Sequence, residues 1–108
     1  MATPTPTVQP TRYQVNCLPE GDVNAPHFAI TVEYRGRDQW AVCRHGECLD
    51  VHGAWDYEPR PSERDDEWLV THRFTLDTAL RLAKEAAPLV TVNGWTVDRV
   101  LANRAARA

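Results

Sequence analysis

The chain has 108 residues, of which 43% are hydrophobic and 25% are charged, and its formal net charge is −3. This composition indicates one globular domain with a single modest core, and it excludes a disordered chain and a strongly basic nucleic-acid binder. No run approaches the ~18 apolar residues of a membrane-spanning helix, and the first residues lack the pattern of a secretory signal.

Threonine and proline dominate the start of the chain, so we expect residues 1–11 to form a disordered tail. We assign the rest, residues 12–108, to a single domain. Apolar and polar residues then alternate in four stretches, which is typical of half-buried strands. These predicted strands cover residues 12–18, 27–34, 39–44 and 47–51. The first half of the domain is therefore predicted to be an antiparallel β-meander of three to four strands.

A tight turn at residues 45–46 is predicted to join the last two of these strands. A two-residue turn there places Arg44 opposite Glu47 and Cys43 opposite Cys48. Both cross-strand pairs are chemically sensible, since the first joins opposite charges and the second joins two thiols. The turn position thus predicts the register of the whole hairpin.

The next stretch, residues 52–61, contains glycine and two prolines and predicts an irregular loop. Two aromatic residues of this loop are expected to fold inward, Trp55 and Tyr57. We then predict a helix over residues 63–72, because Ser62 can cap it and acidic residues occupy its first turn. A strand over residues 67–74 is the competing interpretation, since apolar residues also alternate there.

The clearest helix covers residues 75–87, where apolar residues recur at helical spacing between a capping Thr75 and a terminating Pro88. An Asn-Gly pair interrupts the short apolar run 89–95, and Thr96 can cap a last helix. The chain is therefore predicted to be an α+β domain. Its meander would be covered on one face by two or three C-terminal helices.

Two cysteines and two histidines lie within ten residues and form a candidate metal site, made of Cys43, His45, Cys48 and His52. In an extended strand, however, His52 lies about 13 Å from Cys48, which is too far to share one metal ion. A Cys43–Cys48 disulfide or redox pair is sterically possible, since directly opposed Cα atoms lie about 4.5 Å apart. Structural cysteines packed in the core are the favoured interpretation.

No recognisable catalytic arrangement is present. The four histidines are scattered, none lies beside a partner motif, and no glycine-rich phosphate loop occurs. We therefore predict that the protein is not an enzyme and needs no cofactor.

Tryptophan and arginine are the residue types that most often dominate protein–protein interfaces. Four tryptophans occur in this short chain, and eleven of its twelve basic residues are arginines. The predicted interface residues are Arg35, Arg37, Trp40, Trp55, Arg60 and Trp68. A weaker hypothesis is nucleic-acid binding by three arginines near the C-terminus, Arg99, Arg104 and Arg107.

The segment 53–83 carries three motifs: G-x-W-x-Y-E-P, P-S-x-R-x-D-x-W-L, and H-R-F before an L-D-T-A-L helix. In these motifs the chain resembles short proteins of unknown function from actinobacteria and their phages. The resemblance implies a GC-rich host and a phage accessory gene, and it carries over no activity and no functional residue.

We therefore predict a non-enzymatic accessory protein, encoded by a phage, that binds a host or phage protein in the host cytoplasm. It would recognise this partner by surface complementarity. We expect no binding to a membrane or a nucleic acid, and the sequence leaves open whether the protein forms a homodimer. The alternative is a thiol- or zinc-dependent module that uses Cys43 and Cys48.

Overall fold

The period-two alternation of the first half builds a five-stranded antiparallel sheet in a computed structural model that describes residues 3–107. Its strands lie in chain order: β1 (Arg12–Val15), β2 (Ile30–Tyr34), β3 (Trp40–Arg44), β4 (Glu47–Leu49) and β5 (Trp55–Tyr57). A small hairpin is formed by β6 (Thr91–Val92) and β7 (Trp95–Thr96). The helices are α1 (Ala25–Phe28), α2 (Asp66–His72), α3 (Leu76–Ala86) and α4 (Val97–Arg107). Residues 3–11 precede β1 and have no regular secondary structure.

The α+β class is confirmed, but the predicted number of three to four strands is wrong, because the meander has five. The fifth strand, β5, lies inside the stretch 52–61 that was predicted to be a loop. Three residues are too few to show an alternation, so only the pairing with β4 defines this strand. The expected inward position of Tyr57 is also wrong, since that residue is 74% exposed.

The turn between β3 and β4 has the predicted register. Cys43 lies opposite Cys48 and Arg44 lies opposite Glu47. Residues 45–46 both have positive φ angles, of 51° and 79°, as a type I′ turn requires. A glycine at the second position adopts this conformation without steric cost, which explains why the chain reverses here.

One face of the sheet carries the main hydrophobic core. Ile30, Val32 and Val42 are fully buried there, and they pack against α3 through Ala79 and Ala83. The small alanine side chains let the helix approach the sheet closely. Helix α3 agrees with the prediction: the Thr75 side chain accepts a hydrogen bond from the Thr78 N–H, and the helix gives way to a 3-10 turn at Pro88.

The other face of the sheet is covered by α2, so the prediction that the helices cover a single face is wrong. Trp68 of α2 packs against three residues that alternate with the main core: Ala41, Cys43 and Cys48. After α2 the chain crosses to the opposite face beside β3, where Phe74 and Trp40 exchange two backbone hydrogen bonds.

A helix is confirmed in place of the competing strand over 67–74, but its start differs from the prediction. Helix α2 begins at Asp66, and the side chain that caps it by accepting the Trp68 N–H is that of Asp65, not Ser62. Ser62 lies in a separate 3-10 turn, because the chain extends again at Arg64. Asp65 is also a strong capping residue, so the local signal did not distinguish the two positions.

The last helix, α4, starts as predicted: the Thr96 hydroxyl accepts a hydrogen bond from the Arg99 N–H. Val97 and Val100 join the main core, whereas Leu101 is exposed. Among residues 3–107 no helix has both the length and the apolar character needed to cross a membrane.

Candidate functional site

Polar and charged side chains gather on the sheet face that α2 covers. Successive side chains of a strand point to opposite faces, so the residues that alternate with the main core all lie on this second face. Residues from β3 and β4, from the segments that follow β2 and β5, and from both ends of the α2 region meet there. We call this group the cysteine–arginine cluster; it consists of Arg35, Cys43, Cys48, Glu58, Arg64 and Arg73.

The two thiols of the cluster are in contact but differ in their surroundings. Their Sγ atoms lie 3.7 Å apart. Cys48 is completely buried, and its Sγ lies 2.8 Å from Oε2 of Glu58. Cys43 is 8% exposed, and Nη2 of Arg35 donates to its Sγ at 3.5 Å. One sulfur therefore contacts a carboxylate and the other a guanidinium.

Glu58 is the centre of the charges in the cluster. Its carboxylate lies 2.9 Å from Arg35, 3.4 Å from Arg64 and 3.4 Å from Arg73. Three guanidinium groups around one carboxylate give the cluster an excess of positive charge. Burial by itself would raise the pKa of Glu58, but the hydrogen bonds from Cys48 and Arg35 outweigh it, so this pKa lies below its usual value.

The same environment separates the two thiols in acidity. The pKa of Cys43 is lowered, because Cys48 can donate a hydrogen bond to its sulfur and Arg35 places a positive charge beside it. The pKa of Cys48 is raised, because that thiol is the donor to Cys43, is buried and faces Glu58. Cys48 has a single S–H hydrogen, so at any moment it donates to one of these two acceptors. Cys43 is thus the nucleophilic thiol of the pair.

An aromatic pair on α2 lies beside the two cysteines, and Trp68 is the member that packs against them. The Trp68 ring stacks on His72, with ring centres 4.2 Å apart and nearly parallel planes, and Arg73 lies 5.0 Å from the Trp68 ring centre. The Nε2 atom of His72 lies 2.9 Å from Oδ2 of Asp56 on β5. The sheet and α2 therefore hold Trp68 against Cys43 and Cys48.

Solvent reaches the cluster from the turn side. A cavity of about 250 Å³ is lined by Cys43 together with Thr31, Glu33 and the turn at residues 45–46, whereas Cys48 does not line it. Cys43 is 8% exposed and Cys48 is fully buried. Of the two cysteines, the one with the lowered pKa is therefore the one with exposed surface.

Donor atoms of Cys43, Cys48 and Glu58 lie within 4.8 Å of one another, which is close enough to hold a metal ion. In a tetrahedral zinc site two sulfurs lie about 3.8 Å apart, given Zn–S bonds of about 2.3 Å. The two histidines of the predicted metal alternative, His45 and His52, do not join this group; both lie in exposed turns. The third donor of the group is Glu58, and its carboxylate already pairs with three arginines.

The structure does not gather the six predicted interface residues on one surface. Arg35 and Trp68 belong to the cluster or cover it, Trp40 is buried in the main core, and Trp55 packs against that core. Arg37 and Arg60 are exposed. The six residues therefore have three different environments.

Sequence reasoning missed three members of the cluster, Glu58, Arg64 and Arg73, together with His72, which stacks on Trp68. The sequence carries no signal for them, because β5 is too short to show an alternation and only its pairing with β4 defines it. Once Asp56 is placed opposite Cys48, the alternation puts residue 58 on the same face as the thiols.

No protein-family model, no curated protein and no solved structure matches the chain. The resemblance of residues 53–83 to short actinobacterial and phage proteins therefore stays a prediction.

Proposed function

We propose that this protein is a thiol module in which Cys43 and Cys48 pass reversibly between a dithiol and a disulfide. The observation that carries this proposal is the asymmetry of the pair. The two sulfurs lie 3.7 Å apart on directly paired strands, and only Cys43, the cysteine beside Arg35, has exposed surface and lines a solvent cavity. Opposed residues of this kind have the Cα separation that a disulfide spans.

The oxidant in this proposal is a low-molecular-weight disulfide. The thiolate of Cys43 attacks one of its sulfurs, which forms a mixed disulfide and releases one small thiolate. The thiol of Cys48 then loses its proton to solvent and attacks the Sγ of Cys43, and this step releases the second small thiolate. The two released thiolates take up the protons of the two protein thiols. The protein is oxidised by two electrons and the small disulfide is reduced to two thiols.

Arg35 and Glu58 support different steps of this exchange. The Arg35 guanidinium stabilises the thiolate that attacks first. The Glu58 carboxylate keeps Cys48 protonated until the mixed disulfide has formed, since it accepts that thiol's hydrogen at 2.8 Å. The first attack is therefore made by Cys43, the one cysteine of the pair with exposed surface.

A zinc-dependent module is the competing use of the same residues, and electrostatics disfavours it. A divalent cation at this position would lie beside the guanidinium groups of Arg35, Arg64 and Arg73, all of which contact Glu58. Binding would require the carboxylate to leave these partners in a site with low solvent access. The thiols alone supply two of the four ligands that structural zinc prefers.

The test treats the reduced full chain with glutathione disulfide and follows its intact mass and free thiols. We expect Cys43 linked to Cys48, which lowers the mass by two hydrogen atoms; where the exposed Cys17 also reacts, one glutathione is added to this mass. The Cys48→Ser variant should stop at a glutathione adduct on Cys43. The Cys17→Ser variant is the matched control and should form the same internal disulfide.

Two outcomes would overturn the proposal. One is recovery of both thiols after prolonged exposure to the oxidant. The other is one equivalent of tightly bound zinc in the purified protein that is lost in the Cys43→Ser variant.

Protein binding at a sheet edge is a second candidate function, which keeps the predicted host or phage partner. Strands β1 and β5 each pair with one neighbour in the large sheet, so each offers an edge to an added strand. The Tyr34 N–H donates a hydrogen bond to the backbone carbonyl of Thr11. Along β1 the backbone groups of successive residues point alternately toward and away from β2, so the N–H of Gln14 points away from β2.

The edge candidate predicts that Gln14→Pro abolishes capture of the partner from a bacterial host lysate while the chain stays folded. Pro10→Ala in the preceding segment is the matched control. Equal capture by the Gln14→Pro variant would exclude docking at β1.

A further inference from the structure

A concave feature of the C-terminal region lies away from the thiols. A cavity of about 460 Å³ opens between α1, the β6–β7 hairpin and α4, and none of its lining residues belongs to the cysteine–arginine cluster. Its volume is within the range of about 300–1,000 Å³ that is typical of small-molecule sites.

The floor of this cavity is apolar and one wall is aromatic. Phe28 and Val100 line it and are themselves buried in the main core, so they form a rigid floor. Trp95, which also lines the cavity, is 37% exposed, and Arg99 lies 3.9 Å from its ring centre. A partly exposed indole ring over an apolar floor favours a flat hydrophobic group.

The remaining lining is basic and rich in amides. Arg104 and Arg107 line the cavity together with Asn103, and no carboxylate does so within residues 3–107. Asp22 orients Arg104 by accepting hydrogen bonds from Nε at 3.1 Å and Nη2 at 3.4 Å. The Nη1 group of Arg104 makes no hydrogen bond to any of those same residues. It is therefore a preoriented donor for an anion.

We infer that this cavity is a binding site for a small ligand with a planar aromatic body and one anionic group. The body would lie between Trp95 and the floor, and the anion would contact the guanidinium groups of Arg104 and Arg107. Aromatic carboxylates and nucleoside monophosphates share this chemistry. Of the three arginines named for the nucleic-acid hypothesis, Arg99 stacks on Trp95 and Arg104 pairs with Asp22.

The experiment titrates the ¹⁵N-labelled full chain with 4-hydroxybenzoate and, separately, with adenosine 5′-monophosphate. We expect saturable shifts of the Trp95 indole N–H and the Asn103 side-chain amide with at least one of the two. Saturation with the carboxylate alone identifies an aromatic acid, and saturation with the nucleotide alone identifies a phosphate ligand. Phenol and adenosine are the uncharged controls and should bind more weakly by about tenfold or more.

Variants decide whether the named residues form the site. Arg107→Gln should weaken binding by about tenfold, since it removes a charged hydrogen-bond donor. Trp95→Ala should also weaken it, and Arg60→Gln, a change outside the cavity, should leave it unchanged. The inference is overturned if neither probe gives saturable shifts, if the uncharged analogues bind equally well, or if only single-stranded DNA shifts these signals.

Discussion

The two faces of the five-stranded sheet are built by the same strands but have opposite characters. The face under α3 is a continuous apolar core, in which Ile30, Val32 and Val42 are fully buried. The face under α2 has two thiols and a carboxylate that contacts three arginines. Apolar burial stabilises a fold by roughly 25 cal/mol per Å², whereas a buried charge network gains little over its desolvation cost.

This difference shows where stability and chemistry are located in the molecule. A well-packed apolar face needs no charged residue to hold the sheet together. The charges under α2 therefore call for another explanation than stability, and the unequal thiols supply one. The predictions below compare the two faces directly.

The largest effect is expected for Ile30→Ala on the α3 face. This change leaves a cavity beside Val32 and α3 and should lower the free energy of unfolding by about 2–5 kcal/mol. Urea denaturation followed by circular dichroism measures it. The matched control is Val70→Ala at an exposed position of α2, and equal losses in both variants would contradict the assignment of the core to this face.

A smaller effect is expected for Glu58→Gln on the α2 face. The change leaves three arginines without their anionic partner and should lower the free energy of unfolding by about 1–3 kcal/mol. The Glu58 side chain is 17% exposed, so the loss should be below the ~3–5 kcal/mol of a fully buried pair. Glu63→Gln, in an exposed pair, is the control. A more stable Glu58→Gln variant would show that the network only costs stability.

Acid should remove the contribution of Glu58. Its pKa in the folded protein is lowered below the ordinary value of 4.5, so the folded state favours the ionised carboxylate. The stabilisation is fully present above pH 4.5 and is lost as the pH falls through the lowered pKa. Urea denaturation at several pH values should show a steeper acid loss for the unmodified chain than for Glu58→Gln. Parallel curves would contradict this role.

The smallest effect is expected for Arg60→Ala. Arg60 pairs with Glu63 at 3.0 Å, but both side chains are largely exposed, so solvent screens the pair. The free energy of unfolding should change by about 0.5 kcal/mol or less, and oxidation of the Cys43–Cys48 pair should proceed at the same rate. A larger loss of unfolding free energy would show that Arg60 makes stabilising interactions beyond its pair with Glu63.

Local rules were sufficient for much of the fold. The turn at residues 45–46 predicted the Cys43–Cys48 register, and Thr75 and Thr96 were identified as caps of α3 and α4. Each of these features depends on residues a few positions apart, where backbone conformation and hydrogen bonding decide the outcome. The same rules failed at β5, because three residues contain no periodic signal.

The candidate site was predictable only in part. Arg35, Trp68 and the two cysteines were named from the sequence, but for separate hypotheses. Their meeting with Glu58 depends on β5 pairing with β4 and on α2 covering the second face. Neither event leaves a mark in the local sequence, since the contacts join residues 10 to 23 positions apart.

The sequence by itself determined the α+β class, the turn at residues 45–46, the caps of α3 and α4, and the cross-strand pairing of the two thiols. Only the tertiary structure decided that α2 and α3 lie on opposite faces, and that one thiol faces a carboxylate while the other faces an arginine. The physical reason is the separation along the chain of the residues that interact. Turns and caps are stabilised within a few residues, whereas thiol acidity depends on charges that the fold brings together from distant parts of the chain.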